Sequence, residues 1–363
     1  MNFSEQINKL ISKKVENDQF SGVVLISKGN EELFSGTYGY ANRSWKINNS
    51  LKTRFRIASV SKMFTAVGIL QLIETGKLSF NTKVVEYLEL KGSKIPKDVT
   101  VESLLTHTSG IGDYFDEKLG SEEWEKLWSK TPIYKIRKLE DYLDLFMYNE
   151  PVRKVNEKYH YNGAGYILLG LIIQKESGFS YFDYIRENIF KKLNMNDSDF
   201  LSLDDADESV AEGYEIILDG NEKIIGWKKN IYTATPDAAS DGGATSSAED
   251  LVKFIKGLRN NELLGEKMTR EMFIPKVSEY DDTPRDYIWM YGYGNEFILN
   301  KESKEIVRCG HTGEEYGISA RLYYYPSLDI YVVILANQGL CSGPLGWDIH
   351  NAIINNNSDL NLL

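Results

Sequence analysis

Between Lys62 and Thr75 the chain places Met63, Phe64, Ala66, Val67, Ile69, Leu70, Leu72 and Ile73. A helix over this stretch is apolar nearly all round, which is the pattern of a helix buried inside a protein and not of one lying on its surface. Other layers must enclose it, and the 363 residues of the chain are enough to supply them. At about 150 residues per domain the length suggests two domains, or one large domain with an insertion. A chain of roughly 300 residues buries about 75% of its unfolded surface, so a sizeable core is expected.

The N-terminal end of this helix breaks local rules. Ser59-Val60-Ser61-Lys62 lies between the strand-like run Arg54 to Ala58 and the apolar stretch, and Gly76 reads as the helix stop. Taken alone, Ser59 reads as an N-cap whose hydroxyl accepts a backbone N–H. Lys62 argues otherwise. A capping box wants Glu or Gln three residues after the cap, whereas an ammonium accepts no hydrogen bond and sits against the positive end of the helix dipole. Burial at the head of an apolar helix disfavours the charged form of a lysine, and residues three apart share a helix face. A neutral Lys62 amine would then take the Ser59 proton, which makes Ser59 the leading nucleophile and Lys62 its base. The Ser59 backbone N–H is an oxyanion donor in the same reading.

Composition narrows the partners. Lysine and arginine number 42 and aspartate and glutamate 53, a net charge of -11. That balance repels phosphate backbones, and no basic stripe is interleaved with aromatics, so no nucleic-acid partner is expected. Cys309 and Cys341 have neither CxxC spacing nor disulfide-scaffold density and read as reduced, buried thiols. With no HExxH and no Cys/His cluster, neither a metal nor another cofactor is expected. Charges spread through the first twenty residues oppose a signal peptide, and the longest apolar runs, 166–173 and 331–336, fall short of the ~20 residues that span a bilayer. The expectation is a cytoplasmic protein with no membrane partner. Its oligomeric state is not legible.

Residues 3–17 carry apolar positions at helical spacing, and strands at 22–28 and 32–40 follow, joined by a Gly29-Asn30 turn. Strand-like runs return at 293–299, 305–309, 318–325 and 330–337, before a last helix at about 345–355. Helical patterns dominate the middle, at 101–106, 121–129, 139–146, 165–176 and 182–192. The predicted fold class is α+β: an antiparallel sheet built from both chain ends, flanked by helices, with a mainly helical inserted region. The predicted domains are 1–80 plus 231–363 for the sheet and 81–230 for the helical part, with the active site in the cleft between them.

Five segments, RFRIASVSKMFTA around Ser59, LLTHTSGI at 104–111, YNGAGYILLG at 161–170, DGGATSSAEDLVKF at 241–254 and GHTGEEYGISA at 310–320, stand in one order and spacing. In this the chain resembles the penicillin-recognising serine hydrolases, in particular the class C β-lactamase-like branch with its D-alanyl peptidases, D-amino-acid peptidases and esterases. Ser-x-x-Lys and Lys-Thr-Gly are motifs of that superfamily. The resemblance implies that Ser59 is acylated with Lys62 as its partner. It makes Tyr161 the tyrosine of a Tyr-x-Asn element that assists proton transfer. It aligns His311-Thr312-Gly313 with the Lys-Thr-Gly strand, which lines the cleft; this implies His311 as a further catalytic residue, Thr312 and Gly313 as substrate-binding, and the Glu314 N–H as a second oxyanion donor.

Two departures from the family bear on substrate. Gly163 stands where relatives have the asparagine that grips the substrate's acyl amide, with Asn162 next to it as the substitute side chain. Glu314-Glu315 stands where relatives commonly have small residues, and His311 replaces the lysine that helps bind a substrate carboxylate. The expected function is a serine hydrolase working through an acyl-enzyme on a small-molecule or short-peptide substrate, an ester, amide or short D-peptide, and poor on anionic β-lactams. The alternatives are a genuine β-lactamase or D,D-carboxypeptidase, and a non-catalytic binding protein on the same fold. Elsewhere His107 reads as structural, Ser247 with Asp250 as a helix cap, Trp124 and Trp128 as packing residues, and Asp113, Tyr114 and Phe115 as a pocket wall or an exposed loop.

Overall fold

The computed structural model describes residues 2–280 and 286–356. Its frame is an eight-stranded antiparallel sheet built from both ends of the chain. The strands are β1 (Gly22–Lys28), β2 (Glu31–Tyr38), β3 (Val277–Ser278), β4 (Tyr287–Tyr291), β5 (Glu296–Asn300), β6 (Ile306–Glu315), β7 (Ile318–Tyr325) and β8 (Ile330–Ala336). Their order across the sheet is β2-β1-β8-β7-β6-β5-β4-β3. The predicted strand at 293–299 starts later, at Glu296, because residues 292–295 form the turn from β4. The predicted strand at 305–309 continues to Glu315, carrying the whole His-Thr-Gly segment in extended conformation.

Every residue of β8 is buried, because helices cover both faces of the sheet and no side of the strand meets water. On one face α1 (Phe3–Glu16) and the last helix, Ser342–Asn355, bury Ile7, Ile11, Val332, Ile334, Leu345 and Ile349 together. Asn2 starts α1 by accepting the Glu5 N–H, and the Glu5 carboxylate accepts the Asn2 N–H in return. On the other face lies the larger core, with α2 (Lys62–Glu74) inside it. Buried positions run without interruption from Lys62 to Leu72, as the apolar pattern predicts. Phe64 packs edge-on against Phe190 and Phe254, with ring centroids 5.1 and 4.7 Å away.

Between the two sheet-forming ends the chain is largely helical, including the helices 101–105, 121–130 and α3 (Gly163–Ser177). It also holds a strand pair, Tyr214–Leu218 with Ile224–Lys229, that periodicity did not reveal. The helix Ala248–Arg259 is capped by Ser247, whose hydroxyl accepts the Asp250 N–H as expected. Both cysteines are free and buried.

Candidate active site

Ser59 is not an N-cap. It lies within a short 3-10 turn, Ala58–Ser61, and α2 begins at Lys62. Within this turn the first i→i−3 bonds come from Val60 and later residues, so the Ser59 N–H has no intrahelical acceptor. Ala58 holds a positive φ of 46°, a strained conformation for a residue with a Cβ. The strain is maintained by the segment around Gly242, which clasps the turn from the side. Gly243 donates its N–H to the Ala58 carbonyl at 3.2 Å and Ile57 donates to the Ala244 carbonyl at 2.8 Å. The Ser61 hydroxyl donates to the Ala58 carbonyl at 2.7 Å and accepts the Ala244 N–H at 3.1 Å. Ser59 is thereby left half-buried between fully buried neighbours, on the wall of a cavity of about 1320 Å³.

Lys62 is 2% exposed, with Nζ 3.0 Å from Ser59 Oγ. Nζ also donates to the Asp241 main-chain carbonyl at 2.5 Å, and lies 4.8 Å from the centre of the Tyr161 ring. No carboxylate comes within ion-pair distance of Lys62 among the described residues. Burial pushes its pKa down from the ordinary lysine value, against the pull of nearby acids led by Asp241. The phenol of Tyr161 also engages the Ser59 hydroxyl, and burial raises its pKa well above the usual tyrosine value. Tyr161 is therefore a neutral phenol at neutral pH. Of the two groups beside Ser59, the amine is the one poised to accept a proton.

The His-Thr-Gly strand runs along the other side of Ser59. Gly310 donates its N–H to the Asn295 side chain, towards the β5 edge. Successive N–H groups of a strand alternate between edges, so those of Thr312 and Glu314 face the same edge as that of Gly310. Beyond Gly310 no strand among the described residues pairs with that edge, because the register with β5 ends at Glu296 opposite Gly310. The Glu314 N–H thus faces the open edge of β6, as an oxyanion donor must. Gly313 explains how the strand comes so close: a Cβ there would lie 2.3 Å from the Ile57 carbonyl oxygen.

Thr312 and Glu314 line the cavity, and His311 does not. His311 is fully buried beneath the strand, with Nε2 2.9 Å from the Tyr291 hydroxyl and Nδ1 2.6 Å from the Thr312 carbonyl oxygen. Burial lowers its pKa, so the ring is neutral at neutral pH. Asn162 does not reach towards a substrate either. Its Oδ1 accepts the Gly165 N–H at 2.7 Å and its Nδ2 donates to the Ile111 carbonyl, so the side chain is occupied in capping α3. Asp113 caps the same helix end, accepting from Gly163 and Ala164 at 2.6 and 3.0 Å. His107 is structural as expected: buried, with Nδ1 accepting the Asn162 N–H at 3.1 Å and its ring 4.4 Å from that of Tyr161. Tyr114 and Phe115 form cavity wall, and Trp124 joins them there while its indole N–H donates to the Thr233 carbonyl.

The acids around the cleft are arranged differently from the expectation. Glu314 is paired with Arg321 at 2.5 Å, and Glu315 with the buried Arg56 at 3.0 Å. The carboxylate that confronts the His-Thr-Gly strand is Glu296. Its Oε1 accepts the Thr312 hydroxyl at 2.7 Å and lies 3.4 Å from His311 Nδ1. Glu117, Asp241 and Glu279 line the same cavity. Among the described residues no His/Cys/Asp/Glu group has the geometry to hold a metal ion, and no helix is long and apolar enough to cross a membrane.

A family model described as Beta-lactamase matches residues 7–341 of the chain. The chain is similar to Penicillin-binding protein 4* of Bacillus subtilis (strain 168), 28% identical over 350 residues that cover 93% of this chain and 72% of that protein. Other curated relatives are covered less completely: the match spans 48% of Protein flp of Staphylococcus aureus (strain N315) at 30% identity, about half of that protein's length. Among solved structures, a penicillin binding protein from Bacillus halodurans superposes with a TM-score of 0.84 at 34% identity, covering 96% of this chain and 99% of that one. D-amino acid amidase from Ochrobactrum anthropi SV3 has the same fold, with a TM-score of 0.77 at 22% identity over 98% of this chain and 100% of that one.

Proposed function

The chain belongs to the Beta-lactamase family of serine hydrolases, and from that premise we propose that it hydrolyses an ester, amide or short peptide through an acyl-enzyme on Ser59. The observation that carries the reading is the buried Lys62 amine, 3.0 Å from the Ser59 hydroxyl and free of any carboxylate partner among the described residues. In the proposed sequence Ser59 Oγ attacks the scissile carbonyl as its proton passes to the neutral Lys62 amine. The Ser59 and Glu314 N–H groups hold the oxyanion. Tyr161, a neutral phenol on the same cavity wall as Ser59, passes a proton to the leaving group and is restored from the Lys62 ammonium. Water then attacks the acyl carbonyl and loses a proton to the Lys62 amine; the ammonium so formed returns that proton to the Ser59 oxygen as its bond to the acyl carbon breaks, which restores both the hydroxyl and the neutral amine. His311 acts as a positioning residue, holding Thr312 and the strand edge from beneath.

Glu296 supports a substrate without a carboxylate beside the scissile bond. A carboxylate entering against Thr312 would meet the Glu296 carboxylate where relatives offer a lysine. This favours neutral or cationic esters and amides over anionic β-lactams and over peptides with a free C-terminus next to the cleaved bond. The test is fluorophosphonate labelling followed by intact mass. The wild-type chain is expected to gain one adduct that Ser59→Ala loses, and a folded, unlabelled wild type would support a binding protein instead.

A further inference from the structure

Gly163 leaves a gap in the wall of the cleft, and the structure shows what fills it. A Cβ on Gly163 would lie 2.8 Å from Asp241 Oδ2 and 3.0 Å from the Tyr114 hydroxyl. The Asp241 carboxylate therefore occupies the space that a side chain at position 163 would enter. Asp241 is 8% exposed and lines the cavity. Its Oδ2 accepts the Tyr114 hydroxyl at 2.5 Å, which fixes the carboxylate's orientation. Its Oδ1 has no hydrogen-bond donor among the described residues, and no cation comes within ion-pair distance of the group. Lys62 binds the Asp241 main-chain carbonyl and not its carboxylate.

A carboxylate buried to this degree without a counter-charge is costly unless something pairs with it. The chemistry of the exchange says what that partner is. An asparagine offers an N–H₂ donor to a substrate carbonyl, whereas an ionised carboxylate only accepts. A substrate group opposite Asp241 must donate, and a cation donates best. We propose that Asp241 is a specificity-determining residue that takes the ammonium group of a substrate carrying a free amine next to the scissile carbonyl, as in an amino-acid amide or an N-terminally free peptide. This rests on Ser59 being the acylated nucleophile, as proposed above.

The test reads binding through the nucleophile itself. Fluorophosphonate labelling of Ser59 is timed in the presence of D-phenylalanine amide or its N-acetyl derivative, and the concentration that halves the rate is compared. The free amine is expected to protect at a concentration at least about tenfold lower than the N-acetyl form, the scale of one charge-assisted contact. In Asp241→Asn that ratio is expected to fall to within about threefold. Gly163→Ala, which drives a methyl onto Asp241 Oδ2, is expected to reduce it as well and serves if Asp241→Asn does not fold. Equal protection by the two amides in the wild type, protection by neither, or a ratio unchanged in both variants would overturn the assignment. A ratio unchanged because both amides weaken together would mean that Asp241 serves Lys62 alone. Absence of labelling in the folded wild type would instead defeat the serine-hydrolase reading itself.

Discussion

At the scale of single residues, the acids of the cleft show how a contact can hide from sequence. Glu314 and Glu315 stand next to the His-Thr-Gly motif and invite the expectation of an acidic cleft, yet Arg321 and Arg56 neutralise them. The carboxylate that lies against Thr312 is instead that of Glu296, and no motif marks it. It reaches Thr312 only because the β5–β6 pairing sets Glu296 opposite Gly310. Its exchange to Glu296→Gln removes the like charge while keeping an acceptor for the Thr312 hydroxyl. Turnover or acylation by an anionic cephalosporin is expected to rise by about tenfold, the scale of one screened charge contact, with a smaller effect on a neutral ester. A chromogenic cephalosporin and a p-nitrophenyl ester read the two in parallel; equal changes in both would remove Glu296 from substrate selection.

At the scale of elements, the apolar helix and the motif strand were the most legible parts of the chain. The all-round apolar pattern from Met63 onward identified α2 as buried, and the lysine at its head stood out because it defied capping and dipole rules. The 3-10 turn that replaces the expected cap was not legible, since it depends on Gly243 and Ala244 far along the chain. The same holds for Asn162, whose neighbours suggested a substrate contact and whose actual work is at the end of α3. Asn162→Ala is expected to cost about 1 kcal/mol in a denaturant melt, the worth of a helix cap. Asp113, at the same helix end, has its carboxyl pushed up to about 7 by burial, from an ordinary value of 3.8. The folded protein thus holds this proton more tightly than the unfolded chain, so the contribution is present below pH 4 and is lost as pH rises through about 7. Asp113→Asn should flatten that part of the Tm-versus-pH curve, and an unchanged slope would assign it elsewhere. Gly313→Ala brings a methyl to 2.3 Å from the Ile57 carbonyl oxygen. The strand edge must retreat from the Ser59 turn, and kcat is expected to fall by about 10²-fold or more as the oxyanion donor moves, while KM changes less.

At the scale of the whole molecule, six strands of the sheet assembled from both chain ends were legible because they are rich in apolar and β-branched residues and bounded by turn residues, whereas β3, only two residues long, and β4 were not. The strand pair at 214–229 was not, because its exposed, mixed surface lacks the alternation of a half-buried strand. No disulfide joins the ends, and their packing alone seals both thiols. Burial pushes the Cys309 thiol up to about 12, so a thiol reagent at pH 8 is expected to find neither cysteine in the folded protein and two in denaturant. What the fold achieves is an amine with almost no access to water beside a serine that faces the cleft, and this arrangement is the centre of the account. The most direct measurement is the rate of Ser59 acylation by a fluorophosphonate as a function of pH, in the wild type and in Lys62→Arg. Since burial lowers the Lys62 pKa, the fraction of neutral amine grows as pH rises, and the wild-type rate is predicted to climb through a pKa below 10.5. In Lys62→Arg, whose guanidinium stays charged, the rate is predicted to drop by about 10²–10⁴-fold and to lose that limb. A wild-type rate that is flat with pH, or an arginine variant that acylates as fast, would contradict it.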